Sequence, residues 1–175
     1  QLREIYLTGF EIVVKESAPK TIMSSYNLVN GTYANENAHL LQDILRRDWG
    51  FTGAVVTDWG GSNDHALGVK NGSTLEMPAP GGDAVRELLA AVKSGKITEA
   101  DVDARLDELL TLIYDTHAAV QNHSRSFDAD AHHALARRAA AESTVLLKNE
   151  DNLLPLAAGT KVAVIGDFAE TPRYQ

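Results

Sequence analysis

One carboxylate stands out by its placement. Asp58 directly follows Gly53-Ala54-Val55-Val56-Thr57, a β-branched apolar run of the kind that forms a strand buried on both faces. A carboxylate at such a strand end lies at the rim of a sheet, where a bound molecule can reach it. Trp59 beside it offers a flat apolar face. Sugars pack C–H patches on such faces while their hydroxyls seek carboxylates. Gly60-Gly61 lets backbone approach a ligand closely. The plainer alternative is that Asp58 caps the segment that follows, and spacing alone leaves both readings open. Tyr26 ends another apolar run, Thr21-Ile22-Met23-Ser24-Ser25-Tyr26. A phenol donating to the Asp58 carboxylate would orient it and favour its charged form; otherwise Tyr26 is a rim or core tyrosine. Met23 by itself reads as core filler.

These residues need elements to hold them. Leu2, Ile5, Tyr6 and Val13 suit a helix over 2–16, broken by Ser17-Ala18-Pro19-Lys20. Asn30-Gly31 is a turn signal. Asn35 is placed to cap a helix over 36–48, with Ala38, Leu41, Ile44 and Leu45 on one face and Gly50 ending it. After strand 53–57 comes a loop at 60–64, a short helix to Lys70 and a short strand over 73–77, stopped by Pro78 and Pro80. Asp83 is placed to cap a helix with Val85, Leu88, Leu89 and Val92 on its buried face, closed by Gly95. Thr98 and Asp101 have capping-box spacing and open a helix predicted to bury Val102, Leu106, Leu109, Leu110 and Ile113.

Beyond residue 116 the pattern changes. Gln121-Asn122-His123-Ser124-Arg125-Ser126 reads as a polar linker. Asp128 is placed to cap an Ala-rich helix to Ser143. Val145-Leu146-Leu147 reads as a brief strand, and Lys161-Val162-Ala163-Val164-Ile165-Gly166 as a buried strand that opens something new. Helices alternating with apolar strands over 1–116 imply a parallel sheet, either doubly wound or part of a (β/α)8 barrel. A whole barrel needs about 250 residues, so the strands here would be its closing part. The starting Gln1-Leu2-Arg3-Glu4 and the ending Thr171-Pro172-Arg173-Tyr174-Gln175 both read as cut, giving an internal fragment of a longer chain.

Composition narrows the partners. The chain has 175 residues, 44% of them hydrophobic, and a net charge of −8, enough apolar content for a core. That negative field disfavours nucleic acid and anionic membrane. With no cysteine, disulfides and thiolate chemistry are excluded. The lack of cysteine, of a signal segment and of an apolar run near the roughly 20 residues of a membrane span points to the cytoplasm. The histidines at 39, 65, 117, 123, 132 and 133 have no metal-binding spacing, and no metal or organic cofactor is expected. Val162-Ala163-Val164-Ile165-Gly166-Asp167 is like the first strand of a nucleotide-binding fold, but lacks the glycines that cradle a pyrophosphate.

A family resemblance joins these pieces. Leu2-Arg3-Glu4-Ile5-Tyr6-Leu7, Ser25-Tyr26-Asn27-Leu28-Val29-Asn30-Gly31, Arg47-Asp48-Trp49-Gly50-Phe51-Thr52-Gly53 and Val55-Val56-Thr57-Asp58-Trp59-Gly60 resemble the β-glucosidases of glycoside hydrolase family 3. So do Leu75-Glu76-Met77-Pro78, Val145-Leu146-Leu147-Lys148-Asn149 and Leu154-Pro155-Leu156. The resemblance implies an α/β fold: the C-terminal part of a (β/α)8-type barrel over 1–116, a linker with a helix over 117–143, and the start of a second α/β sandwich domain with its first strand over 144–175. It implies a retaining exo-β-glycosidase acting on a small carbohydrate, with Asp58 as nucleophile and Tyr26, Met23 and Trp59 lining the sugar subsite. Glu76 is read as structural. The family's Lys-His sugar grip is expected upstream of Gln1 and the acid/base residue in the missing C-terminal part, so the fragment alone is expected to be inactive. A β-xylosidase or β-N-acetylhexosaminidase of the same family, or a carbohydrate-binding remnant without catalysis, remain alternatives.

Overall fold

The computed structural model describes residues 1–122 and 126–173, which fall into two units, 1–125 and 126–175. The linker stretch at 121–126 therefore lies partly outside the described residues, as do Tyr174 and Gln175.

In the first unit the predicted helix over 2–16 is two pieces, a wide-turned segment Leu2–Tyr6 and α1, Thr8–Ser17. Strand β1, Thr21–Met23, follows. Asn30 and Gly31 both adopt positive φ (51° and 85°), the backbone of a tight hairpin turn. They join β2, Leu28–Val29, to β3, Thr32–Tyr33, as an antiparallel pair. A 3₁₀ turn at Ala34–Glu36 precedes a π-type helix, His39–Asp48. This corrects the predicted cap. Asn35 does not start the helix; Asn37 Oδ1 accepts the Leu40 amide at 3.0 Å.

Strand β4, Ala54–Val56, lies parallel to β1, with Thr21, Ile22 and Met23 opposite Ala54, Val55 and Val56. A third parallel segment joins it at the Val56–Leu75 bridge. Gly53 permits this sheet, because a Cβ there would overlap the Lys20 carbonyl. The helices α2, His65–Asn71, α3, Gly82–Ser94, and α4, Glu99–Gln121, complete the unit. Asp83 lies in the first turn of α3 rather than at its cap, which is Gly81. The Thr98–Asp101 capping box on α4 is complete, and α4 continues past residue 116.

Two apolar clusters hold these elements. Val14, Leu41, Ile44, Leu45, Trp49, Phe51 and Val55 form one; Ala66, Ala91 and Ile97 the other. Ile44 and Val55 are fully buried, each worth about 1.5–3 kcal/mol by area removed from water. Two predicted faces hold only in part. On α3, Leu88 and Val92 pack against the second cluster as expected, whereas Val85 and Leu89 are exposed and Ala84 and Ala91 are buried. On α4, Val102, Leu106, Leu110 and Ile113 are exposed while Arg105 and Glu108 face inward. The cause is polar. Glu108 Oε2 accepts from Arg46 at 2.9 Å and from Thr74 Oγ1 at 2.5 Å, and Arg105 pairs with its other oxygen at 2.6 Å. Charges taken out of water must keep such partners, so they set the rotation of α4.

In the second unit, α5, Ala129–Glu142, is capped by Asp128, whose carboxylate accepts the Ala131 amide at 2.9 Å. The short α6, Asp167–Glu170, follows. The strands predicted at 145–147 and 161–166 do not form. Strands need a ladder, and among the described residues neither segment has one. The described residues thus form a mixed α/β piece without a closed barrel and without an evident sandwich domain.

Candidate functional site

The carboxyl ends of three parallel segments meet on one edge of the sheet. β1 leads to Ser24-Ser25-Tyr26, β4 to Thr57-Asp58-Trp59, and the third segment to Glu76-Met77. Ser24 N–H donates to the Val56 carbonyl at 2.8 Å and Thr57 N–H to the Leu75 carbonyl at 3.0 Å, so the ladder extends to the residue before Asp58. Thr57 is fully buried. Its hydroxyl donates to the Met77 carbonyl at 3.1 Å and accepts the Met77 amide at 2.8 Å. This clasp fixes the base of the Asp58 side chain.

Asp58 itself is half-buried. Its Oδ1 accepts the Trp59 amide at 2.7 Å; among the described residues Oδ2 is unshared. The Asp58 carbonyl accepts the Gly61 amide at 2.8 Å, closing a tight turn. That turn needs both glycines. Gly60 has φ of 76°, and a Cβ on Gly61 would lie 3.0 Å from the Asp58 carbonyl oxygen. A carboxylate with one free oxygen, held at a sheet edge, can attack an electrophilic carbon or accept a proton.

The other predicted residues sit differently. Trp59 and Tyr26 are exposed, at 57% and 62%. Both lie on the same edge as Asp58, but the Tyr26 phenol makes no hydrogen bond to the Asp58 carboxylate among the described residues. Met23, at the end of β1, lines an apolar groove of about 320 Å³ with Phe10, Ile22 and Trp49, a groove that includes neither Asp58 nor Trp59.

Several polar contacts around the loop carry no sequence signal. Glu36 is 4% exposed, and its Oε1 accepts the amides of Asn63 at 2.7 Å and Asp64 at 3.1 Å. Glu76, read as structural, pairs through Oε2 with His65 Nδ1 at 2.7 Å. Ser62 Oγ lies 3.2 Å from the same nitrogen. Asp64 caps α2 through the Leu67 amide and pairs with Lys96 at 2.8 Å. The Lys96 hydrogen bond holds the Asp64 carboxyl below its ordinary range. Among the described residues no cluster of three or more acidic or histidine side chains could hold a metal ion, and no helix is long and apolar enough to cross a membrane.

Comparison with known proteins places this edge in context. Residues 1–112 match the glycosyl hydrolase family 3 N-terminal domain. The chain is 45% identical to thermostable β-glucosidase B of Acetivibrio thermocellus, over 99% of the chain and 23% of that protein. It is also 45% identical to an exo-α-(1→6)-L-arabinopyranosidase of Bifidobacterium breve, over 99% of the chain and 24% of the relative. Among solved structures it superposes on a β-glucosidase of Bifidobacterium adolescentis with a TM-score of 0.71 and 44% identity, over 99% of the chain and 26% of that protein. β-Glucosidase 3B of Thermotoga neapolitana, solved in complex with α-D-glucose, matches with a TM-score of 0.71 and 37% identity, over 89% and 23%. The chain thus spans about a quarter of the length of the relatives it matches.

Proposed function

Because the chain belongs to glycosyl hydrolase family 3, we propose that it supplies the nucleophile of a retaining exo-β-glycosidase, and that the nucleophile is Asp58. The observation that carries this reading is the position of Asp58 just past β4, next to the buried Thr57, with Oδ1 tied to the Trp59 amide and, among the described residues, Oδ2 free. In the first step Asp58 forms a bond to the anomeric carbon. The glycosidic C–O bond breaks, and the leaving oxygen takes a proton from an acid. In the second step water attacks the same carbon, gives its proton to that group now acting as base, and releases Asp58. The result is net retention.

The acid does not come from the neighbouring carboxylates in this reading. Glu36 is committed to two backbone amides and Glu76 to His65. The proton donor then comes from a part of the protein outside these residues, and 117–143 and 144–175 serve as linker and as the start of a second α/β domain. Trp59, Tyr26 and Met23 supply faces for a pyranose. β-Glucosidases among the relatives, and the glucose complex of one of them, favour a terminal β-glucoside as substrate. The equally similar arabinopyranosidase keeps another exo-acting pyranosidase as the second reading.

A mechanism-based test uses a full-length protein that contains this chain. A 2-fluoro glycoside should leave a covalent sugar on the peptide holding Asp58, read by mass spectrometry. Asp58→Ala should lower kcat by about 10⁴-fold or more with the fold intact. Label on another carboxylate, or near-normal turnover of the variant, removes Asp58 from this role. The 175-residue chain alone should not turn over an aryl β-glucoside.

A further inference from the structure

The loop that carries Asp58 makes a tight turn at Gly60-Gly61, through the Gly61 amide on the Asp58 carbonyl, and side chains hold it at both ends. Its start is clasped by Thr57 and Met77. Its end is fastened elsewhere. Asn63 and Asp64 donate successive backbone amides to one oxygen of Glu36, at 2.7 and 3.1 Å. Glu36 comes from the buried 3₁₀ turn Ala34–Glu36, far away in sequence. Its backbone carbonyl also accepts Asn71 Nδ2 at 2.7 Å, so the same residue holds both ends of α2. Burying a carboxylate is costly unless its hydrogen bonds repay it, and charge-assisted bonds of this kind are about twice as strong as neutral ones. Both bonds of this carboxylate go to the loop that presents Asp58.

We propose that Glu36 is a positioning residue for the reaction: its buried carboxylate anchors the Asn63–Asp64 end of the loop and so sets where the Asp58 carboxylate stands. This rests on the reading of Asp58 as nucleophile. Glu36 touches no substrate in this proposal and acts only through the loop. A displacement of about 1 Å in a reacting group can cost about 100-fold in rate, so a shift of that size in the loop that presents Asp58 is read directly in kcat.

The test pairs kinetics with amide exchange. In a full-length protein containing this chain, Glu36→Ala should lower kcat about 100-fold with KM little changed. Glu36→Gln keeps an oxygen acceptor of the same reach and should recover most of that loss. In the same variants the Asn63 and Asp64 amides should exchange fast in Glu36→Ala and slowly in Glu36→Gln, with Val55 and Thr57 protected in both. Loss of kcat must follow exchange at Asn63 and Asp64. Normal kcat in a variant whose two amides exchange freely overturns the proposal. So does a large loss of kcat in a variant whose two amides stay slow. Should Glu36→Ala fail to fold, Glu36→Gln supplies the same comparison, because its kcat and its two amides still rise or fall together or apart. Covalent labelling of wild-type Asp58 separates the two ideas: no label there ends the reading underneath, whereas label there with kcat and exchange uncoupled ends this one.

Discussion

Two segments of this chain are near-twins in sequence and opposites in structure. Gly53–Thr57 and Lys161–Gly166 are both short β-branched apolar runs beside a glycine. The first becomes β4, with Val55 fully buried opposite Ile22. The second stays irregular, with Val164 71% and Ile165 92% exposed. Intrinsic preference is the same, so it cannot be what decides. β4 has β1 on one side, the Leu75 segment on the other, and Ile44 and Trp49 in the cluster it packs into. The later segment has no such neighbours among the described residues, all of which are exposed from 126 to 173. A strand is a property of its partners as much as of its residues.

The largest test of that contrast is a pair of truncations. Ile44→Ala should destabilise the chain by roughly 3–4 kcal/mol, since it opens a cavity in a packed site. Val164→Ala should change stability by less than about 0.5 kcal/mol. Urea unfolding followed by the fluorescence of buried Trp49 reads both, and equal effects would break the contrast.

Next comes the polar network that turns α4. Glu108→Ala leaves the Arg46 and Arg105 side chains, 12% and 11% exposed, without their carboxylate. Removing one partner of a buried pair should cost about 3 kcal/mol in the same titration. Burial already lowers the Arg46 guanidinium from its ordinary value, the direction expected of a cation short of solvent. A loss below about 1 kcal/mol would mean that apolar packing, not these charges, orients the helix. The capping box is a smaller effect: Thr98→Ala should cost about 1 kcal/mol, read as a drop in the urea midpoint.

The smallest effect is acid-dependent. Asp64 is held below its ordinary value of 3.8 by Lys96 first, then by the Leu67 amide. A depressed carboxylate contributes stability that is full above its unfolded value and is lost as pH falls through the folded one. The pair is partly solvated, so the contribution should stay under about 1 kcal/mol. In Lys96→Met the midpoint should fall less steeply below pH 4 than in the wild type. An identical acid limb in both proteins would remove Lys96 as the cause.

Much of the local structure was legible because it follows from neighbours in sequence. Asn30-Gly31 specifies a turn by the positive φ it tolerates, Thr98 and Asp101 cap by reach, and Asp128 caps α5 in the same way. The alternation of helix and apolar strand correctly implied parallel pairing, and the quoted blocks identified the family. The face of α4 was misread because periodicity says which side of a helix is apolar, whereas the Arg46–Glu108–Arg105 network holds a polar side of α4 inward. On α3 the expected face is half right, with Leu88 and Val92 packed inward and Val85 and Leu89 exposed. The site divides along the same line. Asp58 and Trp59 could be placed from the strand before them. The Glu36 anchor, the Thr57–Met77 clasp and the His65–Glu76 pair join residues distant in sequence, with no shared spacing to announce them.

The sequence by itself determined the Asn30-Gly31 turn, the Thr98 and Asp128 caps, the family and the position of a carboxylate at a strand end, since each depends on residues close along the chain. The caps expected at Asn35 and Asp83 fell instead to Asn37 and Gly81. Only the tertiary structure decided which apolar run became a strand, which face of α4 turned inward and what holds the Asp58 loop. Those outcomes depend on groups brought together by folding, where burial makes an unpaired charge or an unpaired strand costly.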